Sequence, residues 1–247
     1  MTIDINCDMG EGMPGDADIM PFISSANIAC GYHAGDEATI RETIDLCLRH
    51  NVAIGVHPGF DDKPNFGRVQ VYLSDRELYK LVWKQLELMQ AVCLEKNTKL
   101  HHVKPHGALY NMAAKDRSYS TTIAQAVADF NPDLFYYGLS GSIMIEEARH
   151  AGLLTVKEVF ADRTYQPDGT LTPRSQPDAL IHEVDVAVHQ VLRMVTENIV
   201  TCSDGTDIPI QADTICIHGD GVHALDFARA IFSRLKSQGI EIKAVQL

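Results

Sequence analysis

Seven separated stretches of this chain each run from a short apolar segment directly into polar, ionisable residues. They lie at positions 4–8, 27–33, 53–57, 102–106, 135–140, 159–163 and 215–220. A strand buried in a parallel sheet is a short apolar run, and folds built from such strands place their chemistry at the carboxyl ends. The pattern therefore predicts parallel strands whose ends bring His, Asp, Lys and Arg side chains to one polar site.

Helical patterns separate these strands. Ser74 and Glu77 form a capping-box sequence at the start of one amphipathic segment. Apolar residues at helical spacing over 181–199 predict the longest helix, and an Asp-Gly pair within 200–209 predicts a short β-hairpin.

The alternation of strand and helix predicts an α/β fold. Its regular repetition over 247 residues favours a closed, parallel (β/α) barrel of the TIM type over an open doubly wound sheet. We expect seven strands in the barrel, or eight if 241–245 adds one, and a single domain that spans 1–247.

Composition limits the partners that this chain can have. The formal net charge of −12 is unfavourable for a nucleic-acid surface, which would show clustered Lys and Arg. No run is long and apolar enough to cross a bilayer, and the first residues lack the pattern of a signal peptide. We therefore expect a cytoplasmic protein without nucleic-acid or membrane partners, in which the 6 cysteines are core residues.

Candidate acid and base groups stand at the predicted strand ends. Asp8 and Glu11 close the first strand, where two carboxylates can divide the acid and base roles. His33, His57 and His106 follow the second, third and fourth strands, and each is a candidate general base.

The later strands add further candidates. Asp162 follows the sixth strand, and His218 and Asp220 close the seventh, as further candidate catalytic groups. Lys104 and Arg163, at strand ends, are suited to bind a substrate carboxylate or phosphate, as is Arg174 in the loop beyond the sixth strand.

The sequence does not determine which cofactor the protein uses. A divalent metal could be held by Asp8, His57 and His106, but no local metal spacing such as HExxH is present. The sequence also lacks a Walker A motif, a GxGxxG fingerprint and a GxSxG elbow. If the reaction uses ATP, the usual phosphate cradle is not evident from the sequence.

Five segments in order along the chain, at 4–12, 27–36, 104–111, 158–165 and 215–220, resemble the LamB/YcsF family. The resemblance implies a seven-stranded barrel of the glycoside hydrolase/deacetylase type. It further implies a role in a 5-oxoprolinase that opens the lactam ring of 5-oxoproline to L-glutamate with ATP and Mg²⁺, together with two further subunits. Asn6, Asn27 and Tyr110 lie within these segments, and we expect them to contact substrate.

One segment departs from the family pattern. After the third strand the family has approximately Ala-His-Pro-Ser-Tyr-Pro-Asp and then Gly-Phe-Gly-Arg-Arg. This chain retains His57 but has Gly59, Phe60 and Val69 in place of Ser, Tyr and the second Arg. These replacements remove two hydroxyl groups and a charge, so we expect the substrate contacts of this loop to differ.

Two other functions fit the same residues. One is a metal-dependent amide hydrolase or deacetylase that acts alone, which would need a metal and no ATP. The other is a non-catalytic subunit of a larger complex. Stability alone gives no reason to collect so many ionisable groups at strand ends, so the sequence favours a catalytic role.

Overall fold

The computed structural model describes residues 1–219 and 224–246. Its strands are β1 Thr2–Met9, β2 Ser25–Ala29, β3 Ala53–His57, β4 His102–Val103, β5 Phe135–Leu139, β6 Leu154–Phe160, β7 Ile199–Thr201, β8 Asp207–Pro209, β9 Thr214–His218 and β10 Glu241–Ile242. Its α-helices are α1 Asp16–Ile19, α2 Glu37–His50, α3 Asp75–Glu95, α4 Gly107–Ala113, α5 Arg117–Phe130, α6 Ile143–His150, α7 Val184–Thr196 and α8 Ala224–Ser237.

Seven parallel strands form a closed barrel in the order β1-β2-β3-β4-β5-β6-β9, because β1 pairs with both β2 and β9. This confirms the predicted fold. The candidate eighth strand is not part of the ring. β10 pairs only with Thr2 and Ile3, below the point where β2 and β9 join β1.

The apolar core lies between the strands and the surrounding helices. Ile5, Ile28, Val56, Val103 and Ile215 come from five different strands, and all are buried in one large apolar cluster. Burial of an aliphatic side chain of this size contributes about 1.5–3 kcal/mol. The helices cover these side chains, and α3 begins with the predicted capping box between Ser74 and Glu77.

The inside of the barrel is polar. Alternate residues of β1 point to opposite faces, so Asp4, Asn6 and Asp8 share the face opposite to that of Ile5. Their side chains contact polar groups of neighbouring and facing strands, with Asn6 donating to Thr214 at 2.8 Å. A hydrogen-bonded network therefore fills the space inside the ring of strands.

The lower end of this network is closed by side chains and by the C-terminal segment. Asp4 accepts hydrogen bonds from Ser25, Tyr137 and Thr214 at 2.6–3.0 Å. His101 Nε2 lies 2.8 Å from the carbonyl oxygen of Val245. Asp4 itself is only 1% exposed, so these contacts shield it from solvent.

Two local predictions have different outcomes. β7 and β8 form the predicted antiparallel hairpin. The predicted longest helix over 181–199 is wrong, because α7 covers only Val184–Thr196 and the longest helix is α3 with 21 residues. Backbone pairing of Ile181 with Asp162 and the left-handed conformation of Asn198 (φ 56°) limit α7 at its two ends. Among the described residues, no helix has the length and apolarity needed to span a bilayer.

Candidate active site

A pocket of about 480 Å³ opens at the carboxyl ends of the strands. Asp8, His57, Lys104, His106 and His218 line its floor. Its walls come from the segment that follows β4 and from the long loop between β6 and α7. The structure thus brings residues from six of the seven barrel strands or their ends to one cavity.

Asp8 is held at the centre of the floor. Its Oδ1 accepts hydrogen bonds from Lys104 Nζ at 2.8 Å and from Asn27 Nδ2 at 2.9 Å, while Oδ2 lies 3.3 Å from His57 Nε2. Burial acts to raise the pKa of Asp8, but His57 and Lys104 outweigh it and hold that pKa well below its usual value. Asp8 is therefore a carboxylate at neutral pH.

Lys104 is only 2% exposed, and its ammonium group is already engaged. Nζ lies 2.8 Å from Asp8, 2.9 Å from Glu158, 3.0 Å from Cys216 and 3.2 Å from Asn6. Burial opposes the charge, yet Asp8, Cys216 and Glu158 raise the pKa of Lys104 well above its usual value. Lys104 therefore positions Asp8, and its donors are already used before any substrate carboxylate arrives.

Asn6 and Asn27, like Lys104, contact other polar side chains of the site. Asn27 Nδ2 donates to Asn6 Oδ1 at 2.7 Å as well as to Asp8. Both side chains are fully buried, and neither is among the residues that line the pocket. They are placed to orient Asp8 from below, in contrast to the predicted contact with substrate.

His57 and His106 form a pair beside Asp8. His57 Nδ1 lies 2.7 Å from the carbonyl oxygen of Lys104, and His106 Nε2 lies 2.9 Å from that of Phe66. The two remaining ring nitrogens, His57 Nε2 and His106 Nδ1, are 2.9 Å apart. Burial and neighbouring imidazoles hold the pKa of His106 well below its usual value.

Glu11 and His33 stand behind this pair and do not line the pocket. Glu11 Oε1 lies 3.5 Å from both His106 Nδ1 and His33 Nε2. The His33 ring stacks face to face on that of His106, with 3.8 Å between the ring centroids. Burial, aided by His57, lowers the pKa of His33 to about 3, so this imidazole is neutral.

A second pair lies on the other side of Asp8. His218 Nδ1 is 2.8 Å from Asp162 Oδ2, which fixes the ring and leaves Nε2 as the nitrogen without this partner. Burial acts to raise the pKa of Asp162, but His218, Arg174 and Arg163 outweigh it and lower that pKa. A carboxylate behind an imidazole is the arrangement that orients a general base.

The three remaining predicted residues with described positions all line the pocket. Arg163 is buried and donates to the carbonyl oxygens of Thr172 and Ala179, so it also shapes the loop above the site. Arg174 is exposed at the pocket wall, and Tyr110 is buried, with its hydroxyl near Glu158. Asp220, the last predicted catalytic residue, lies outside the described residues.

Sequence reasoning missed Glu158 and Cys216. Glu158 is fully buried in β6 and pairs with Lys104, while Cys216 of β9 lies 3.0 Å from the same ammonium group. For Glu158 the available signal was a carboxylate next to Val159 and two positions before Phe160, on the face that alternation directs inward.

Arg68 and Gln70 of the altered loop line the pocket, but the three replaced residues do not. Gly59 lies against His33, since a Cβ built on it would be 2.6 Å from His33 Nδ1. Phe60 is buried in the core, and Val69 is half exposed on the surface. None of the three is among the lining residues, and of the three Gly59 is the one that lies against His33.

Comparison with known proteins agrees with this fold. The model of the LamB/YcsF family matches residues 3–247. The chain belongs to the LamB/YcsF family. It is 53% identical to a protein of Oceanobacillus iheyensis that is named as the A subunit of 5-oxoprolinase, over 98% of this chain and 96% of that one. A Brevibacillus brevis protein of the same name is 51% identical over 98% of both chains.

Solved structures of related folds extend the comparison. The crystal structure of a lactam utilization protein from Thermus thermophilus, a chain with 42% identity, superposes with a TM-score of 0.94 over 99% of this chain and 100% of that one. A peptidoglycan deacetylase from Bacillus subtilis matches with a TM-score of 0.53 and 13% identity, over 98% of this chain and 87% of that one. The latter likeness concerns the barrel fold alone.

Proposed function

We propose that this LamB/YcsF chain is the A component of a 5-oxoprolinase. In this proposal the lactam ring of 5-oxoproline is opened to L-glutamate, and ATP is hydrolysed with Mg²⁺ by a complex that contains two further subunits. The names of relatives at about half identity support the role. The observation that carries the chemistry is His218, which is held by Asp162 and lines the same pocket as Asp8.

Ring opening needs a base for water and an acid for the leaving amine. With Nδ1–H donated to Asp162, His218 presents a lone pair on Nε2 that can take a proton from water. The hydroxide adds to the lactam carbonyl, and the C–N bond then breaks. The imidazolium of His218 returns the proton to the departing nitrogen, so that water is consumed and both protons are accounted for.

Arg174 is the best-placed anchor for the carboxylate of 5-oxoproline. It lines the pocket, is exposed to it from the loop, and lies near enough to Asp162 to affect the pKa of that carboxyl group. A guanidinium group can bind a carboxylate through two parallel hydrogen bonds. The guanidinium group of Arg163 is instead held by two carbonyl oxygens of its own loop.

ATP can activate the amide, which by itself reacts slowly with water. Transfer of the γ-phosphoryl group to the lactam oxygen releases ADP and makes the carbonyl carbon more electrophilic. After water has added, the C–N bond breaks and leaves an acyl phosphate, and a second water molecule cleaves this to L-glutamate and phosphate. The chain has no Walker A motif. We therefore assign ATP and Mg²⁺ to the complex, in which the partner subunits contribute to nucleotide binding.

The test uses an extract of source cells that lack only this chain. Conversion of labelled 5-oxoproline to glutamate is followed with and without ATP, before and after addition of the pure protein. Wild-type protein should restore ATP-dependent conversion. His218→Asn should lower the rate by roughly 10²–10⁴-fold, while His189→Asn, at an exposed histidine of α7, should not.

Other results would select the other functions. Full activity of the His218→Asn protein would favour a non-catalytic role in the complex. Ring opening by the pure chain without ATP would indicate a hydrolase that acts alone. Equal conversion in the extract without the chain would refute the proposal.

A further inference from the structure

When both imidazoles are neutral, the contacts of His57 and His106 leave two ring nitrogens facing each other without a donor between them. Three contacts run in series from the Lys104 carbonyl oxygen through the two imidazoles to the Phe66 carbonyl oxygen. Carbonyl oxygens only accept, so each of the outer contacts uses one N–H group. Two neutral imidazoles supply two N–H groups in total, and the central contact at 2.9 Å then joins two lone pairs.

We propose that a divalent transition-metal ion binds to His57 Nε2, His106 Nδ1 and the carboxylate of Glu11. The inference deepens the proposed function, because it places a Lewis acid in the wall of the same pocket. A backbone carbonyl behind each imidazole is the arrangement that fixes the tautomer of metal-binding histidines. Two His and one carboxylate form a ligand set typical of catalytic zinc sites.

One donor separation matches that around such an ion, and the other is shorter by about half an ångström. Zn–N and Zn–O bonds of about 2.0–2.1 Å in a tetrahedron separate neighbouring donors by roughly 3.4 Å. The observed separations are 2.9 Å between the imidazole nitrogens and 3.5 Å from His106 Nδ1 to Glu11 Oε1. All three donor atoms lie within 4.8 Å of one another.

His33 completes the surroundings of the ion without being one of its ligands. Its ring is parallel to that of His106 within 4°, so an ion in the plane of His106 lies outside the plane of His33. The backbones of Gly59 and Gly67 lie close to His33, since a Cβ on Gly59 would be 2.6 Å from His33 Nδ1 and one on Gly67 would be 2.8 Å from the Cβ of His33. His33 therefore packs against one face of the His106 ring.

The pocket provides the remaining coordination position. His57 and His106 line the cavity, whereas Glu11 and His33 do not. An ion held by the three ligands therefore has protein on one side and the cavity on the other. A water molecule or the oxygen of an amide substrate can take the open position.

A competing group of donors consists of Asp8, Cys216 and His218, which also lie within 4.8 Å of one another. A cation is already present there. Lys104 Nζ lies 2.8 Å from Asp8 and 3.0 Å from Cys216, and it would repel a second cation. The geometry therefore favours the ion at His57, His106 and Glu11.

The test measures binding on the full chain without substrate. The purified protein is stripped with a chelator and dialysed against Co²⁺ or Zn²⁺, and bound metal is counted by mass spectrometry. We expect one bound ion per chain. With Co²⁺ we expect the visible absorption bands of an ion that has few ligands, all of them nitrogen or oxygen atoms. Glu11→Gln and His106→Asn should each weaken binding at least tenfold.

Cys216→Ser is the matched control, because it alters the competing group and spares the proposed ligands. It should retain the ion. Loss of the ion in this variant with retention in Glu11→Gln would overturn the proposal, as would the failure of the wild-type chain to bind either metal.

Circular dichroism checks that each variant is folded. If a variant is not folded, the test relies on NMR spectra of the wild-type protein loaded with Co²⁺. Paramagnetically shifted resonances from two histidine rings support the site, and their absence overturns it. Failure here is distinct from failure of the proposed function, which the extract assay tests without reference to bound metal.

Discussion

Replacement of Lys104 by Met should be far more costly than its single charge suggests. Lys104 lies within 3 Å of the carboxylates of Asp8 and Glu158, and all three side chains are nearly or fully buried. Met keeps most of the length of the side chain but removes the ammonium group. Two buried carboxylates then lose the cation that they share.

The expected loss is about 3–5 kcal/mol of unfolding free energy, the range for the breaking of a buried ion pair by removal of one partner. For a chain of this size each kcal/mol lowers the melting temperature by about 2–4 °C, so the shift should be roughly 6–20 °C. Urea unfolding followed by circular dichroism measures the free energy. Glu158→Gln is the matched control, and it should cost less because Lys104 keeps Asp8 as a partner.

The loss should also depend on pH in a definite direction. In the wild type the pKa of Asp8 is held below the usual value of 3.8, so its ionised form stabilises the fold above that pH and the contribution is lost as pH falls further. Without Lys104 the pKa of Asp8 rises, and protonation relieves the buried charge at higher pH. The stability gap between variant and wild type should narrow from pH 8 to pH 5. An equally stable Lys104→Met protein, or a gap that does not change with pH, would refute this account.

Three further changes test other parts of the site. Asp162→Asn should lower the turnover of 5-oxoproline by roughly 10²–10⁴-fold with little change in KM, because His218 loses the partner that orients it; an unchanged kcat would contradict the base assignment. Arg174→Lys should raise KM for 5-oxoproline by about tenfold while kcat stays similar, as one bidentate contact is lost, and steady-state kinetics of the complex would show an unaltered KM if the anchor is elsewhere. Gly59→Ser should cost about 1–3 kcal/mol in thermal unfolding because the new Cβ collides with His33, and a melting temperature equal to that of wild type would show that His33 can move freely.

The barrel could be predicted because its signal is local. Each strand is a short apolar run followed by polar residues, and the period of the pattern changes clearly between strands and helices. The prediction of a helix over 181–199 was wrong because of a contact between residues that are distant in sequence. Ile181 carries an apolar side chain at helical spacing, but its N–H donates to the carbonyl oxygen of Asp162, which precedes it by 19 positions and lies two residues beyond the end of β6.

The membership of the site was more predictable than the roles of its members. Strand ends revealed Asp8, His57 and His218, since the ends of parallel strands meet at one edge. Which donors meet which acceptors depends on ring closure, because β1 and β9 are distant in sequence but adjacent in the barrel. From the sequence, Lys104 was therefore predicted to bind the substrate, and Glu158 was not predicted to be its partner in an ion pair.

The polar interior of the barrel has a consequence for how such a chain can change over time. On the outer face of the strands, one aliphatic side chain can replace another with a modest penalty, since packing there is apolar. Inside, Asn6, Asn27 and His102 each bind the next group in the network, so a lone replacement leaves a buried partner unsatisfied. We expect the two faces of the same strand to diverge at different rates, with the inner face altering only through coordinated exchanges of several residues.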